Sequence, residues 1–151
     1  NNNPYLIEYN VRMGDPETQV IIPRLKTDLV KILNDATLNN LKKTKIQWIN
    51  DKSMTVVLCS KGYPGKYKKN IEIKNLNKIK LSNMDHIYHA GTKFVRDRLV
   101  SNGGRVLNIT SRGKKLNIIR KKILLILKKI NWKDGFFRRD IGWRAIKNEN
   151  N

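Results

Sequence analysis

The chain has 151 residues and a formal net charge of +20, because 32 Lys and Arg stand against 12 Asp and Glu. Its single cysteine, Cys59, excludes a disulfide framework and a zinc site built on several cysteines, and it fits a reducing compartment such as the cytoplasm. The longest apolar run, 123–127, is far shorter than the roughly 20 residues that a membrane-spanning helix requires.

The first predicted element is a β-strand over residues 5–13, where polar and apolar side chains alternate. A Gly-Asp-Pro-Glu sequence follows and ends the strand. A helix is predicted next, beginning at Thr18 or Pro23 and ending at Asn39, because apolar residues recur at helical spacing. The polar residues from there to Lys45 are typical of a linker and mark a predicted domain boundary.

Short strands and one long helix are predicted beyond that boundary. The sequence Asn102-Gly103-Gly104 lies between two strand-like runs and predicts a β-hairpin. Residues 116–130 have the periodicity of an amphipathic helix with an aliphatic face and a Lys-rich face. The pattern therefore predicts an α+β fold. The predicted strands cover residues 46–49, 54–60, 71–73, 86–90, 94–100 and 105–110.

The positive charge lies outside the first 35 residues. Residues 1–35 hold four basic and five acidic side chains, whereas 36–151 hold 28 basic and seven acidic ones. Lys outnumbers Arg by 22 to 10, and Asn and Ile are also abundant, at 19 and 18 residues. Since nucleic-acid readers depend mainly on Arg, this composition favours a bias toward A- and T-rich codons over a polyanion partner.

The basic helix allows a second interpretation. Residues 111–131 carry eight basic side chains and no acidic one, which is also found in helices that bind nucleic acid or membrane surfaces. However, its apolar face lacks the Trp and Phe anchors of interfacial helices, and aromatic residues make up only 7% of the chain. We therefore favour a helix that packs on the core and exposes its lysines, with no specific nucleic-acid or membrane partner.

Three polar residues on one face of the first predicted strand suggest a site. Alternate residues of a strand lie roughly 6–7 Å apart, so Glu8 and Asn10 can converge on one cation. Carboxylate and amide oxygens suit Mg²⁺ that also binds substrate phosphates, and Arg12 offers a fork for a phosphate or carboxylate. From spacing alone the alternative is a solvated strand face whose Glu–Arg pair contributes about 0–1 kcal/mol.

The stretch from Glu8 to Gln19 resembles the signature of the phosphoribosylamine–glycine ligases, also called glycinamide ribonucleotide synthetases. The family pattern is Glu-x-Asn-x-Arg-Phe-Gly-Asp-Pro-Glu-x-Gln, and only Met13 departs from it. The resemblance continues in family order along nearly the whole chain. The further matching stretches are Cys59 to Tyr67, His89 to Lys93, Asn102 to Leu107 and Arg139 to Ala145.

This resemblance implies the carboxy-terminal third of an ATP-grasp ligase. Residues 1–40 would be the last strand, loop and helix of the ATP-grasp domain, and 41–151 the family's small β-rich C-terminal domain with its long amphipathic helix. The missing N-terminal domains would hold most of the ATP site, so the fragment alone is expected to be inactive. A basic nucleic-acid-binding module and another ATP-grasp ligase that shares Glu-x-Asn-x-Arg remain as alternatives.

The implied reaction joins glycine and 5-phosphoribosylamine at the expense of ATP, through a glycyl phosphate, and yields glycinamide ribonucleotide, ADP and phosphate. The family's metal ligands fall on Glu8 and Asn10, which would hold Mg²⁺ or Mn²⁺ against the ATP phosphates. Arg12 is the implied catalytic residue, in contact with the transferred phosphoryl group or the glycine carboxylate.

Further substrate contacts are expected from loops. Asp15 and Glu17 would orient the ammonium of glycine or the ribosylamine, although both also suit the capping of a helix. Lys93 and Arg105, beside glycine-containing turns, would bind the ribose phosphate. The alternative for these turns is a plain β-meander whose glycines supply positive φ.

Overall fold

The computed structural model describes residues 3–9 and 11–149 and shows an α+β fold. The helices are α1 (Thr18–Ile21), α2 (Leu29–Thr37), α3 (Leu116–Lys129) and α4 (Trp143–Glu149). The strands are β1 (Lys52–Ser60), β2 (Asp85–His89), β3 (Thr92–Val95), β4 (Arg98–Ser101), β5 (Arg105–Gly113) and β6 (Gly135–Phe136). Single 3-10 turns occur at Ile22–Arg24, Leu41–Lys43 and Leu76–Lys78.

The main sheet has four antiparallel strands in the order β2-β5-β1-β6. Its centre is the pair formed by the two nine-residue strands β1 and β5, in which Val56 lies opposite Ile109. The register shifts between Leu58 and Cys59, so that Cys59 lies opposite Arg105 at the end of the pair. Strands β3 and β4 form a separate hairpin.

The core lies between one face of the sheet and α3. Ile119, Ile123, Ile126 and Leu127 are the buried residues of the helix, and they recur at the three- and four-residue spacing of one helical face. Burial of an aliphatic side chain of this size contributes about 1.5–3 kcal/mol. The buried residues of the two central strands that belong to the same hydrophobic cluster are Met54, Val56, Leu58, Val106, Leu107 and Ile109.

The loop that precedes α1 is held against the main sheet. Helix α1 contacts both β1 and β5. It therefore brings the segment from Gly14 to Gln19 close to the first residues of β5, where Arg105 lies. This arrangement assembles the candidate site from the amino-terminal segment and from the β-rich part of the chain.

The strand predicted over 5–13 is not formed by the described residues of that range. Residues 3–9 and 11–13 contain no strand, and Tyr5, Ile7 and Val11 are 76%, 95% and 96% exposed. A strand is stable only when a neighbouring strand accepts and donates its backbone hydrogen bonds. Within the described part of the chain no such neighbour lies beside this segment.

The predicted helix from residue 18 or 23 to 39 is interrupted. Pro23 lies in a 3-10 turn after α1, and Leu25 has an extended backbone that bridges to Trp48. A new helix, α2, then begins after Asp28, whose carboxylate accepts hydrogen bonds from the Val30 and Lys31 amides. The proline and the capping aspartate thus override the apolar periodicity.

Several predicted strands are also wrong in extent. Residues 46–49 and 71–73 contribute only the isolated bridges Leu25–Trp48 and Glu72–Val100. The single strand expected over 94–100 is instead a hairpin, whose turn residues Arg96 and Asp97 have φ values of 45° and 61°. The sequence Arg-Asp lacks the Asn-Gly or Asp-Gly signature that announces such a turn.

The hairpin predicted around Asn102-Gly103-Gly104 is likewise wrong. Strand β4 before it pairs with β3, whereas β5 after it pairs with β1 and β2. The glycine pair therefore connects the small hairpin to the main sheet. The absence of side chains at Gly103 and Gly104 lets neighbouring loops pack closely against them.

Candidate functional site

The carboxylate of Asp15 is held by two side chains. Its Oδ1 accepts a hydrogen bond of 2.9 Å from Nε2 of Gln19, one turn later along the chain. Its Oδ2 lies 3.2 Å from Nη2 of Arg105, and Nη1 of the same guanidinium donates to the Asp15 carbonyl at 3.1 Å. Asp15 and Arg105 are 90 positions apart in the sequence, and the fold brings them together.

This contact is accessible to solvent. The side chains of Arg105 and Asp15 are 42% and 46% exposed. An exposed pair of this kind is weak, in the range of about 0–1 kcal/mol. Because the pair is weak and exposed, the guanidinium remains accessible to another anionic partner.

The loop before Arg105 is fixed by backbone contacts. Ser60 donates from its amide to the Gly104 carbonyl and from its hydroxyl to the Gly103 carbonyl, both at 2.8 Å. A Cβ on Gly104 would lie 2.1 Å from Cδ2 of Tyr63, which is closer than real Cβ contacts. Glycine is required here because an aromatic ring lies directly on the backbone.

A second loop supports the first. The Asn102 amide donates to the Gly91 carbonyl at 2.7 Å, and a Cβ on Gly91 would lie 2.5 Å from the Arg105 carbonyl oxygen. In the same loop, Nδ1 of His89 and the hydroxyl of Thr92 are 2.8 Å apart. The stretches 89–93 and 102–107, which are distant in sequence, therefore form one packed unit at the base of Arg105.

Two cavities border this unit. One, of about 380 Å³, is lined by Asp15, Thr18 and Gln19 together with Tyr88 and His89 of β2. The Oε1 atom of Gln19 is buried and has no hydrogen-bond partner within the described residues. Burial also raises the pKa of the Tyr88 hydroxyl. This cavity therefore presents an amide oxygen whose hydrogen-bonding capacity is not used by the described residues.

The second cavity, of about 500 Å³, is more apolar. Arg105 and Cys59 line it together with aromatic side chains, among them Tyr63 and Phe136. Burial raises the pKa of the Cys59 thiol, and the positive charge of Arg105 opposes that effect. Cys59 is therefore a neutral thiol at neutral pH, and its pKa depends in part on the charge of Arg105.

The structure brings together only part of the predicted site. Glu8 lies in the exposed segment 3–9, and Asn10 lies outside the described residues. Arg12 is exposed and donates from Nη1 to the Met13 carbonyl at 3.2 Å. Lys93 is exposed on β3 and has no hydrogen bond or ion pair to another candidate residue in the described chain.

The capping alternative for Asp15 and Glu17 is not observed. Glu17 is the N-cap of α1 but makes no side-chain capping bond, and Asp15 is engaged by Gln19 and Arg105 instead. The Glu17 carboxylate folds over Gly14, where an added Cβ would lie 2.3 Å from Oε2. Within the described residues neither carboxylate is thus used to cap the helix.

A metal site is not preassembled by the described residues. No group of three or more His, Cys, Asp or Glu side chains gathers to hold an ion in residues 3–9 and 11–149. A magnesium ion bound by one carboxylate, one amide oxygen, water and substrate phosphates does not require such a group. The hard oxygen donors of Glu8 and Asn10 therefore remain chemically suited to Mg²⁺ or Mn²⁺.

Sequence reasoning did not assign roles to Gln19, Ser60 and Tyr63. Gln19 positions the Asp15 carboxylate, Ser60 holds the glycine loop, and Tyr63 packs on it. All three belong to the stretches that carry the resemblance, so membership of a motif was the available signal. Their particular roles depend on contacts between distant segments, which a single sequence does not show.

The basic helix is engaged with the fold on its polar side. Lys122 of α3 lies 2.9 Å from Asp85. Before the helix begins, Lys114 and Arg112, the latter in β5, lie 2.9 and 2.8 Å from Asp51. Arg120 donates to the Arg139 carbonyl. These contacts favour a structural helix that packs on the fold, and they disfavour a surface that binds a polyanion. In the described part of the chain no helix has the length and apolarity to cross a membrane.

Comparison with known proteins supports a specific relationship. The family model described as "Phosphoribosylglycinamide synthetase, C domain" matches residues 53–144. A phosphoribosylamine–glycine ligase from Agrobacterium fabrum is 46% identical over 146 residues, which cover 97% of this chain and 34% of that protein. The chloroplastic phosphoribosylamine–glycine ligase of Arabidopsis thaliana is 44% identical, with 95% of this chain and 27% of that protein covered.

A solved structure shows the same similarity. The crystal structure of a phosphoribosylamine–glycine ligase from Thermotoga maritima matches with a TM-score of 0.68 and 32% sequence identity. The match covers 91% of this chain and 33% of that one. The chain thus spans about a third of the length of the bacterial relatives that it matches.

Proposed function

The chain belongs to the phosphoribosylamine–glycine ligase family, and from that premise we propose that it is the carboxy-terminal part of an ATP-dependent ligase of purine biosynthesis. The observation that carries this proposal is the 46% identity to such a ligase over 97% of the chain. In the proposed reaction the glycine carboxylate takes the γ-phosphoryl group of ATP and becomes a glycyl phosphate. The amine of 5-phosphoribosylamine then attacks that group, and glycinamide ribonucleotide, ADP and phosphate are released.

We further propose a division of the chain into two parts. Residues 1–40 form the end of an ATP-grasp domain, and 41–151 form the C-terminal domain, which contains the whole of the matched region 53–144. The exposed apolar side chains of Tyr5, Ile7 and Val11 fit a segment that pairs with the amino-terminal domains of such a ligase. Activity is therefore expected only together with those domains, and we place it in the cytoplasm, where a lone cysteine stays reduced.

The activation step is assigned to the amino-terminal segment. Glu8 and Asn10 would hold Mg²⁺ or Mn²⁺, which supplies charge neutralisation at the ATP phosphates. Arg12 contacts the transferred phosphoryl group or the glycine carboxylate, and its guanidinium fork fits either group. Positioning and charge stabilisation are the main requirements of such a transfer, so loss of this fork should depress turnover.

We assign the binding of 5-phosphoribosylamine, which accepts the glycyl group, to the loop before α1 and to the start of β5. Asp15 and Glu17 carry carboxylates that can accept hydrogen bonds from an ammonium or amine, and neither is used to cap α1. Arg105 lies beside Asp15 and is suited to the phosphate of 5-phosphoribosylamine. Lys93 is a further basic contact for that phosphate, on the separate β3–β4 hairpin.

The test is a chimera in which this chain replaces the corresponding third of the Agrobacterium fabrum ligase. We expect ATP-dependent formation of glycinamide ribonucleotide, detected by mass spectrometry. Glu8→Gln should raise the Mg²⁺ concentration needed for half-maximal rate, and Arg12→Ala should lower kcat by about 10²–10³-fold, as for a lost transition-state donor. Glu72→Gln and Arg98→Ala are matched controls that should change neither property.

An unchanged metal requirement in Glu8→Gln would contradict the metal assignment. A chimera that folds, binds ATP and forms no product would contradict the proposed function as a whole.

A further inference from the structure

Arg105 lies in surroundings that suit an anion. It lines the cavity of about 500 Å³, and among the described residues the only charged side chains that line this cavity are Arg105 and Arg138. No carboxylate faces that space from its lining residues, since Asp15 approaches Arg105 from the neighbouring loop. A guanidinium that is 42% exposed at such a cavity can be reached by an anion that competes with Asp15.

A carboxylate and a phosphate make the same kind of contact with a guanidinium. Both offer oxygens that accept parallel hydrogen bonds from its fork, and a phosphate dianion carries more charge than a carboxylate. Asp15 presents one carboxylate oxygen and one carbonyl oxygen to Arg105, at 3.2 and 3.1 Å. We propose that Arg105 is a phosphate-monoester site whose donors Asp15 occupies in the absence of ligand, and that a phosphate group displaces the Asp15 carboxylate.

Displacement of the Asp15 carboxylate from Arg105 would leave that carboxylate bound to Gln19. Oδ1 of the carboxylate is held by Gln19 at 2.9 Å, whereas Oδ2 is the atom paired with Arg105. Loss of the Arg105 contact therefore frees Oδ2 without releasing the whole side chain. The identity of the ligand rests on the proposed function: the phosphate is that of 5-phosphoribosylamine, and the freed oxygen accepts a hydrogen bond from an amine. The exchange at Arg105 does not depend on that assignment.

The exchange is tested on the chain itself by NMR titration with inorganic phosphate. We expect shifts of the Arg105 guanidinium and Asp15 carboxyl signals, and loss of both responses in Arg105→Gln. Asp15→Asn keeps an oxygen for Gln19 but removes the competing charge, so it should tighten phosphate binding by about two- to five-fold, the range allowed by a weak exposed ion pair. Unmoved Arg105 signals, or equal affinity in Asp15→Asn and the unchanged chain, would overturn the proposal.

The chain offers a matched control for net charge. Asp97 is exposed in the turn between β3 and β4, where asparagine tolerates the same positive φ, and it does not line the cavity that Arg105 borders. Asp97→Asn makes the same change in charge as Asp15→Asn without touching Arg105 or Arg138, so phosphate affinity should stay unchanged. An equal gain in Asp97→Asn would show a general charge effect and would overturn the exchange.

Cys59 gives an independent readout of binding at Arg105, because it is the only cysteine of the sequence. Burial raises the pKa of the Cys59 thiol, and the positive charge of Arg105 lowers it. Phosphate at Arg105 should therefore slow alkylation of Cys59, and it should have no such effect in Arg105→Gln. Equal slowing in both chains would contradict binding at Arg105.

Ribose 5-phosphate in place of inorganic phosphate separates the two levels of the proposal. Tighter binding of the sugar phosphate supports a substrate site. Equal affinities would overturn the assignment to the ribosylamine and leave the exchange supported.

Discussion

Replacement of Gly104 by alanine tests the packing that places Arg105. The added Cβ would lie 2.1, 2.6 and 3.0 Å from Cδ2, Cε2 and Cγ of Tyr63, so either the ring or the loop must move. The loop has little freedom, because Ser60 binds the carbonyls of both Gly103 and Gly104. Overpacking of this kind costs about 1–3 kcal/mol, which corresponds to a decrease of about 2–12 °C in Tm for a chain of this size.

The measurement is thermal unfolding followed by circular dichroism. Gly113→Ala is the matched control, since its Cβ would meet Cγ1 of Ile119 at 3.5 Å, an ordinary contact, and Tm should change little. Removal of the ring in Tyr63→Ala should reduce the cost of Gly104→Ala, which a double-mutant cycle measures. Unchanged stability of Gly104→Ala, or the same cost with and without the ring, would refute this account of the loop.

Three further predictions concern the core and its buried charge. Ile123→Ala should lower the free energy of unfolding by about 2–5 kcal/mol in urea denaturation, because Ile123 is fully buried on the face of α3 that packs on the sheet. Ile118→Ala, at an exposed position of the same helix, should lower it much less. Asp85→Ala should lower the free energy of unfolding by about 2–4 kcal/mol, because it removes the carboxylate that binds Lys122, Ser82 and Ser111. The comparison is Asp140→Asn, which removes a carboxylate that pairs with Arg138 in an exposed position. A loss in Asp85→Ala no greater than that in Asp140→Asn would contradict a structural role for Asp85. Burial raises the pKa of Asp85, but the hydrogen bonds from Lys122, Ser82 and Ser111 outweigh it and hold the pKa below the ordinary value of 3.8. The stabilisation is therefore complete above that value and is lost as pH falls through the lower folded-state pKa, so unfolding free energy should fall less steeply with acid in Asp85→Asn than in the unchanged chain.

The parts of the fold that sequence reasoning predicts are those with strong local signals. Periodicity places residues 119, 123, 126 and 127 on one face of a helix, and these are the buried residues of α3. The alternation over 54–60 and 105–110 falls within the two central strands. In both cases local preference and burial against a single core act in the same direction.

The errors arise where the deciding interaction is not local. Alternation over 5–13 predicts a strand, but a strand requires a hydrogen-bonded neighbour that the described chain does not supply. The hairpin turn at Arg96 and Asp97 was missed because its residues are atypical for positive φ. Asn102-Gly103-Gly104 carries a hairpin signature, yet its glycines serve contacts with Tyr63 and Gly91.

The candidate site shows the same division. The motif from Glu8 to Gln19 identified Asp15 as a site residue, and Arg105 was assigned from another motif. Their contact with each other depends on the packing of α1 on the sheet, which no spacing in the sequence encodes. The metal assignment to Glu8 and Asn10 remains a prediction from the family motif.

Under the proposed function, this chain takes part in a ligation that proceeds through a glycyl phosphate. The most direct measurement uses glycine labelled with ¹⁸O in its carboxylate as substrate for the chimera with the Agrobacterium fabrum amino-terminal portion, followed by mass analysis of the released phosphate. Transfer of the γ-phosphoryl group to the carboxylate predicts one ¹⁸O atom in each phosphate, because the carboxylate oxygen leaves with it when the amine attacks. Glycinamide ribonucleotide formed with release of unlabelled phosphate would contradict the account.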